Sequence, residues 1–238
     1  MTAAVEDVLA HIERRFRELT DPVLKAGAEA FFKEAVQSRG IRSPDLKKII
    51  SETYAMVKLW PSKDREALCE ALWLTGDLEK GAIICHLYRR FAKQLGAREF
   101  QMFARWIDRH VTNWAHTDGV ASWLLAGSIA NDPSLIAELP AWTRSKNRWK
   151  RRAAAVALLQ EAKKGRNTEA IFDIAKRLHT DADDMVRKGV GWVLKETYPK
   201  RPQETVAFVR SLPFSRLTIR YAAEKMAAHD KAAVMARG

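Results

Sequence analysis

Helical periodicity is the feature that most constrains how this chain can fold. Apolar residues recur at three- and four-residue steps almost throughout, and no stretch alternates with period two and β-branched residues. A chain with this pattern buries its apolar stripes by packing helices on helices. The sequence therefore predicts an all-α fold, and 238 residues with 47% hydrophobic side chains are enough for a substantial core.

Proline, glycine and short polar residues divide this pattern into roughly twelve helices of about 10–17 residues. The predicted breaks are at residues 20–22, 40–44, 60–62, 75–77, 96, 112–113, 131–133, 140–147, 165–167, 180–183, 199–202 and 213–215. Several breaks carry a capping residue, such as Asp21 before Pro22, whose side chain can accept from free N–H groups of the next helix.

An internal similarity favours a helical array over a globular bundle. Residues 149–156 and 186–193 both combine Lys or Arg with an apolar run, and they lie about 40 residues apart, near the period of HEAT-type repeats. Such repeats stack helix pairs into a solenoid with a concave binding face. We therefore predict one HEAT-like repeat domain over residues 1–238. Two short segments can also agree by chance, so the bundle remains the alternative.

Positive charge is concentrated in the C-terminal part of the chain. The formal net charge is +12; residues 1–141 hold 19 basic and 19 acidic residues, whereas residues 142–238 hold 22 basic and 10 acidic. A one-sided excess produces a sustained positive field, which suits a polyanion such as a nucleic-acid backbone. A surface tuned only for solubility would more often spread its charge.

Other classes of protein lack their signatures here. No apolar run approaches the roughly 20 residues that span a bilayer, and the first residues do not resemble a signal peptide. Cys69 and Cys85 form no CxxC pair, and phosphate-binding, dinucleotide-binding, zinc and nucleophile-elbow motifs are missing. We expect a cytoplasmic protein with reduced cysteines, no membrane partner, no metal and no cofactor. No trihelical unit stands apart as a helix-turn-helix.

Residues 112–121 contain one carboxylate among largely apolar side chains. Trp114 and Asp118 are four residues apart, so they share one face of a helix. Asp118 and Gly119 are both poor helix formers, which indicates a local requirement other than helix stability. Asp118 is therefore a candidate functional acid. Alternatively, it caps a helix that restarts at Gly119 or pairs with a nearby arginine, and Trp114 belongs to the core.

A tryptophan lies outside the core stripe of the helix predicted at residues 185–197. That stripe consists of Val186, Val190 and Val193. Trp192 lies about 125° from its centre, beside Lys188 and Lys195. Gly191 next to it has no side chain, so Trp192 is a candidate for contact with a sugar, base or phosphate. The alternative is packing against a neighbouring repeat.

Three arginines open the helix that follows Asn147. Arg148, Arg151 and Arg152 are close enough on one face to grip consecutive phosphates through paired hydrogen bonds. Such contacts position DNA without reading its sequence. The alternative is a solvated charged surface.

Together these segments resemble the AlkD-like family of alkylpurine DNA glycosylases, which are HEAT-like repeat proteins of DNA alkylation repair. The likeness covers nearly the whole chain and includes the turn at residues 40–44 and residues 70–73, 113–121, 148–159 and 186–196. The resemblance implies a concave, basic surface holding a DNA duplex. It implies a catalytic aspartate, Asp118, with Trp114 and Trp192 near the deoxyribose of the lesion.

The resemblance also places a phosphate-gripping arginine in the pair Arg151-Arg152, with Arg152 favoured; Arg148 and Lys188 are further predicted DNA contacts. The chain departs from the family at two positions. Ala115 follows Trp114 where an aromatic pair is often found, and His116 replaces an acid. These departures bear on substrate range and rate.

The function implied is hydrolysis of the N-glycosidic bond of alkylated, cationic purines such as N3-methyladenine and N7-methylguanine, leaving an abasic site. The predicted partner is double-stranded DNA that contains alkylated bases, with no obligate protein partner. The alternative is a non-catalytic helical-repeat protein that binds damaged or branched DNA. A protein-interaction solenoid is a third class, and it would not bind duplex DNA in a salt-dependent way.

Overall fold

A computed structural model describes residues 2–236, and the regular elements in that range are helices. The all-α prediction is confirmed. Contacts divide the chain into two compact units, one ending at Phe91 and the other beginning at Ala92. Within the described range, no helix has the length and apolar character that a membrane crossing requires.

The first unit contains five helices among its described residues. They are α1 (Ala3–Leu19), α2 (Pro22–Phe31), α3 (Ser43–Val57), α4 (Ser62–Trp73) and α5 (Leu78–Arg89). Helix α1 packs on α3 and α4, and both of these contact α5. The buried residues of α1 are spaced by three or four positions, which is why one face of this helix enters the core: Val5, Val8, Ile12 and Phe16.

A long-range contact ends α2 earlier than the sequence indicates. The punctuation predicts a break at Gly40, but the helix ends at Phe31 and the chain is non-helical from residue 32 to residue 42. The buried carboxylate of Glu79, on α5, accepts hydrogen bonds from the backbone N–H groups of Arg39 and Gly40 at 2.9 and 3.0 Å. A partner 40 residues away fixes this segment, and local sequence does not reveal it.

The second unit continues with shorter helices. They are α6 (Ala97–Arg109), α7 (Trp114–Gly119), α8 (Ala126–Asn131), α9 (Leu139–Trp142), α10 (Arg148–Val156), α11 (Leu159–Lys164), α12 (Thr168–Arg177), α13 (Asp184–Thr197), α14 (Pro202–Ser211), α15 (Arg216–Ala222) and α16 (Ala228–Met235). Short 3₁₀ turns lie at Ala92–Gln94, Pro133–Glu138 and Ala223–Lys225, and a π-helical segment, Val120–Leu125, joins α7 to α8.

Four of these helices form a row in which each packs on the next: α7 on α10, α10 on α13, and α13 on α15. Each helix of this row begins after a residue whose side chain accepts hydrogen bonds from the first turn: Asn113, Asn147, Asp183 and Ser215. These caps recur every 32–36 residues or so, close to the length of common helical repeats. The predicted helical-repeat fold is confirmed; the single domain and the concave face stay predictions.

Gly191 explains how closely α13 approaches α15. A Cβ at this position would lie 2.5 Å from Cβ of Tyr221 and 2.7 Å from the backbone oxygen of Thr218. Neither atom is the end of a flexible side chain, so the two helices would have to separate. Gly191 therefore serves helix packing, a role that the sequence-based interpretation did not give it.

Gly191→Ala should consequently destabilise the protein by about 1–3 kcal/mol, the usual effect of overpacking a core. Denaturant unfolding measures this change. Gly27→Ala in α2 is the matched control, because its Cβ would meet nothing within 4 Å. The control should be neutral or stabilising by up to about 1 kcal/mol, since alanine is the better helix former. Equal effects of the two substitutions would contradict the packing role.

Candidate active site

The start of α7 is closed by a hydrogen-bonded cap. The Asn113 side chain accepts from the backbone N–H of His116 at 2.9 Å, and its Nδ2 lies 3.1 Å from His116 Nδ1. Both residues are buried. His116 thus takes part in capping the helix. The cap fixes Trp114, the first residue of α7, which remains partly exposed.

One turn beyond Trp114, Asp118 forms a two-pronged ion pair with Arg152 of α10. Arg152 Nε donates to Asp118 Oδ1 at 2.8 Å and Nη2 donates to Oδ2 at 2.9 Å. The Asp118 side chain is 16% exposed and the Arg152 side chain is 6% exposed. A planar guanidinium paired in this way fixes both the position and the orientation of a carboxylate. The chain stays helical after Gly119, where α7 passes directly into the π-helical segment Val120–Leu125, so Asp118 is a paired acid rather than a cap.

The other edge of the Arg152 guanidinium is anchored to α13, where Nη1 donates to the backbone oxygen of Met185. Gly189, four residues further along α13, makes room for this side chain: a Cβ there would lie 3.2 Å from Arg152 Cγ. All three guanidinium nitrogens are therefore engaged within the protein. The sequence predicts Arg152 as a phosphate ligand; the structure gives it the contacts of a residue that positions Asp118, and its phosphate contact stays a prediction.

Two features of its surroundings have opposite effects on the pKa of Asp118. Burial raises the pKa of the Asp118 carboxyl above its ordinary value, and the hydrogen bonds and charge of Arg152 oppose this increase. The pKa remains raised overall. A carboxylate offers about four acceptor positions, and Arg152 uses two, so the ionised group can still accept hydrogen bonds from water or ligand.

The helix changes its hydrogen bonding directly after this acid. Residues Val120–Leu125 are π-helical, whereas the flanking segments Trp114–Gly119 and Ala126–Asn131 are α-helical. Single π turns inside α-helices occur frequently at functional sites. The poor helix formers Asp118 and Gly119 precede the π segment immediately, which fits the local requirement that their presence indicated.

Trp192 lies on the face of α13 that also carries Met185 and Gly189, because these residues are spaced by four and three positions. This face packs against Arg152 at its N-terminal end. Trp192 is partly exposed, while the predicted core residues of this helix are buried. Lys188, on the neighbouring part of the helix surface, is also partly exposed. The positions of Trp192 and Lys188 outside the core are as the periodicity indicates.

The remaining two predicted phosphate ligands are paired with aspartates at the start of the next repeat. Arg148 Nη1 lies 3.1 Å from Asp183 Oδ2. The guanidinium carbon of Arg148 also lies 4.2 Å from the centroid of the Trp149 ring, on which it stacks. Arg151 contacts both carboxylate oxygens of Asp181, at 2.6 and 3.2 Å. Their side chains are 36% and 19% exposed. Much of the cationic charge at the start of α10 therefore holds neighbouring repeats together.

Comparison with known proteins decides the family. The family model described as DNA alkylation repair enzyme matches residues 12–226, most of the chain. The chain belongs to this family. Membership of this family agrees with the resemblance inferred from residues 113–121, 148–159 and 186–196. No curated protein matches the sequence.

Two solved structures share the fold of this DNA alkylation repair family member. A predicted DNA alkylation repair enzyme from Enterococcus faecalis is 18% identical, with a TM-score of 0.80 over 88% of this chain and 98% of that chain. AlkD2 from Streptococcus mutans is 17% identical, with a TM-score of 0.60 over 77% of this chain and 91% of that chain. At these identities the likeness establishes the helical-repeat fold.

Arg152 is the site residue whose role the sequence left open. Its neighbour Arg151 offers the same side chain, and only the contacts of α10 with α7 and α13 tell which of the two reaches Asp118. Among residues 2–236, no group of three or more His, Cys, Asp and Glu side chains could hold a metal ion.

Proposed function

We propose that this protein is a DNA glycosylase that hydrolyses the N-glycosidic bond of alkylated, cationic purines such as N3-methyladenine and N7-methylguanine, leaving an abasic site. The observation that carries this proposal is the ion pair of Asp118 with Arg152, which holds a partly exposed carboxylate on the helix face that begins with Trp114. Family membership supports a role in the repair of alkylated DNA.

The chemistry suits a single carboxylate. When the C1′–N bond of an alkylated purine breaks, the bonding pair moves to the base and neutralises its positive charge, so no general acid is needed. Positive charge develops on the deoxyribose instead. A negative charge about 4 Å away contributes on the order of 4 kcal/mol at an effective dielectric constant near 20. This is enough for a rate effect of about a thousandfold.

Asp118 performs two tasks in this reaction. As a carboxylate it stabilises the cationic sugar, and through an acceptor position that Arg152 does not use it orients a water molecule toward C1′. The water oxygen forms the new bond to C1′, and its proton passes to the carboxylate and then to solvent. Arg152 acts as a positioning residue, since it sets the orientation of Asp118 and favours its ionised form.

Trp114 and Trp192 line the sugar in this proposal. Both are partly exposed, and they come from helices that Arg152 joins through Asp118 and Met185. The face of an indole ring attracts cations, so two such rings beside the deoxyribose stabilise its developing charge. Lys188 and the partly exposed Arg148 contact backbone phosphates, while the excess charge of residues 142–238 draws the duplex to the surface.

Incubation with methylated duplex DNA tests the proposal directly. The wild-type protein should release free 3-methyladenine or 7-methylguanine and leave abasic sites in the DNA, as measured by chromatography of the released bases. Unmethylated DNA of the same sequence should yield no free base. Binding of the methylated duplex without release of either base would refute the enzymatic function and favour the non-catalytic DNA-binding alternative.

A further inference from the structure

Equivalent positions along the helix row of α7, α10, α13 and α15 carry a regular charge pattern. The fifth residue after each capping residue is Asp118 in α7, Arg152 in α10, Lys188 in α13 and Arg220 in α15. Because each helix packs on the next, these positions follow one another across the repeats. One carboxylate is therefore followed by three cations, and Arg220 extends the pattern beyond the predicted DNA-binding residues.

Arg220 lines a cleft of about 480 Å³ that is formed by α15, α16 and the turn between them. The residues around this cleft are Arg216, Arg220, Tyr221, Glu224, Lys231 and Met235. Three are cations and one is an acid, and the acid Glu224 already pairs with Lys195 at 2.7 Å. The cleft is thus positively charged, and both Arg220 and Lys231 are exposed at its surface.

The cleft adjoins the part of α13 that carries Trp192. Tyr221 on the cleft wall packs against Gly191, the residue immediately before Trp192. Lys195, one turn after Trp192, contacts Glu224 on the same wall. Packed helices lie about 8–10 Å apart, so the cleft is one helix away from the Trp192 face. A DNA strand that continues from Trp192 along the helix row would next meet the helices that carry Arg220 and Lys231.

We propose that this cleft binds backbone phosphate of the DNA strand next to the lesion, with Arg220 and Lys231 as its ligands. The proposal rests on the glycosylase function, for which it supplies a further substrate-binding site. An arginine can hold two phosphate oxygens at once, and a lysine adds a mobile second cation. Sequence alone gave no reason to select Arg220, because its relation to Asp118 becomes evident only from the capping register.

The salt dependence of DNA binding tests this site. Affinity of the full-length protein for an undamaged duplex is measured at several salt concentrations for wild type and for the double variant Arg220→Gln/Lys231→Gln. Each lost phosphate contact makes the slope of log affinity against log salt concentration shallower by about 0.9. The slope of the double variant should therefore be shallower than that of wild type by about 1.8. The control Lys163→Gln/Lys176→Gln removes the same charge from exposed positions on α11 and α12 and should retain the wild-type slope.

Base release by the same preparations separates the two hypotheses. If wild type releases methylated bases but the cleft and control variants show equal slopes, the phosphate site is refuted and the glycosylase function stands. If wild type binds DNA and the cleft variant alone has the shallower slope, the site is supported even where no base is released, and only the enzymatic function fails. If wild type shows no salt-dependent binding, the phosphate site is refuted, and base release alone decides the glycosylase function. Thermal unfolding verifies that the exposed substitutions leave the fold intact.

Discussion

Asp118→Asn is expected to lower the rate of methylated-base release by at least about a hundredfold, the scale seen when one electrostatic stabiliser of a transition state is removed. The amide has nearly the same shape and can still accept one hydrogen bond from Arg152, but it carries no charge to stabilise the cationic sugar. Single-turnover release of 7-methylguanine measures the effect, because it reports the chemical step without product release.

Two further measurements make this prediction specific to catalysis. DNA affinity should remain close to that of wild type, because the residues proposed to contact the phosphates are unchanged. Stability should fall by about 1–3 kcal/mol, because the amide keeps an acceptor for only one of the two Arg152 N–H groups and leaves the buried guanidinium without its counter-ion. Burial already disfavours the charged form of Asp118, as its raised pKa indicates. A variant that releases bases at the wild-type rate would remove Asp118 from the mechanism.

The pattern of apolar and capping residues predicts much of this fold because those signals are local. The helix starting at Trp114 after Asn113 follows from a polar residue whose side chain caps the next turn. The exposure of Trp192 follows from its angle to the valine stripe of α13, since helix geometry alone determines which residues share a face. Local spacing thus selected Trp114, Asp118 and Trp192, the three residues that the proposed reaction places at the sugar.

Contacts between distant segments were not predictable in this way. Gly191 was interpreted as clearance for Trp192, yet it allows α15 to pack closely, because the residues it meets lie about 30 positions further along the chain. Arg151 and Arg152 are equivalent by composition, and only the three-dimensional arrangement pairs one with Asp181 and the other with Asp118. The two helices that meet at a residue decide its role, and single-sequence periodicity describes one helix at a time.

Arg152→Met should produce the largest loss of stability, about 3–5 kcal/mol at neutral pH, which is typical when one partner of a buried ion pair is removed. The substitution leaves the Asp118 carboxylate without its cation and removes the donor to the Met185 carbonyl. For a chain of this size the melting temperature should fall by roughly 10 °C. Arg148→Met is the control; its more exposed pair with Asp183 should contribute no more than about 1 kcal/mol.

The sign of the pH dependence identifies the cause of this loss. Without Arg152, burial should raise the pKa of Asp118 further, so the folded protein binds a proton where the unfolded chain does not. The loss of stability of Arg152→Met relative to wild type should therefore become smaller as the pH falls through that raised pKa, because protonation removes the unpaired charge. Adding Asp118→Asn should recover much of the stability at neutral pH, and an additive double variant would contradict the coupling. As the pH is lowered, Arg152→Met should lose base release at a higher pH than wild type does, since the ionised carboxylate is the active form.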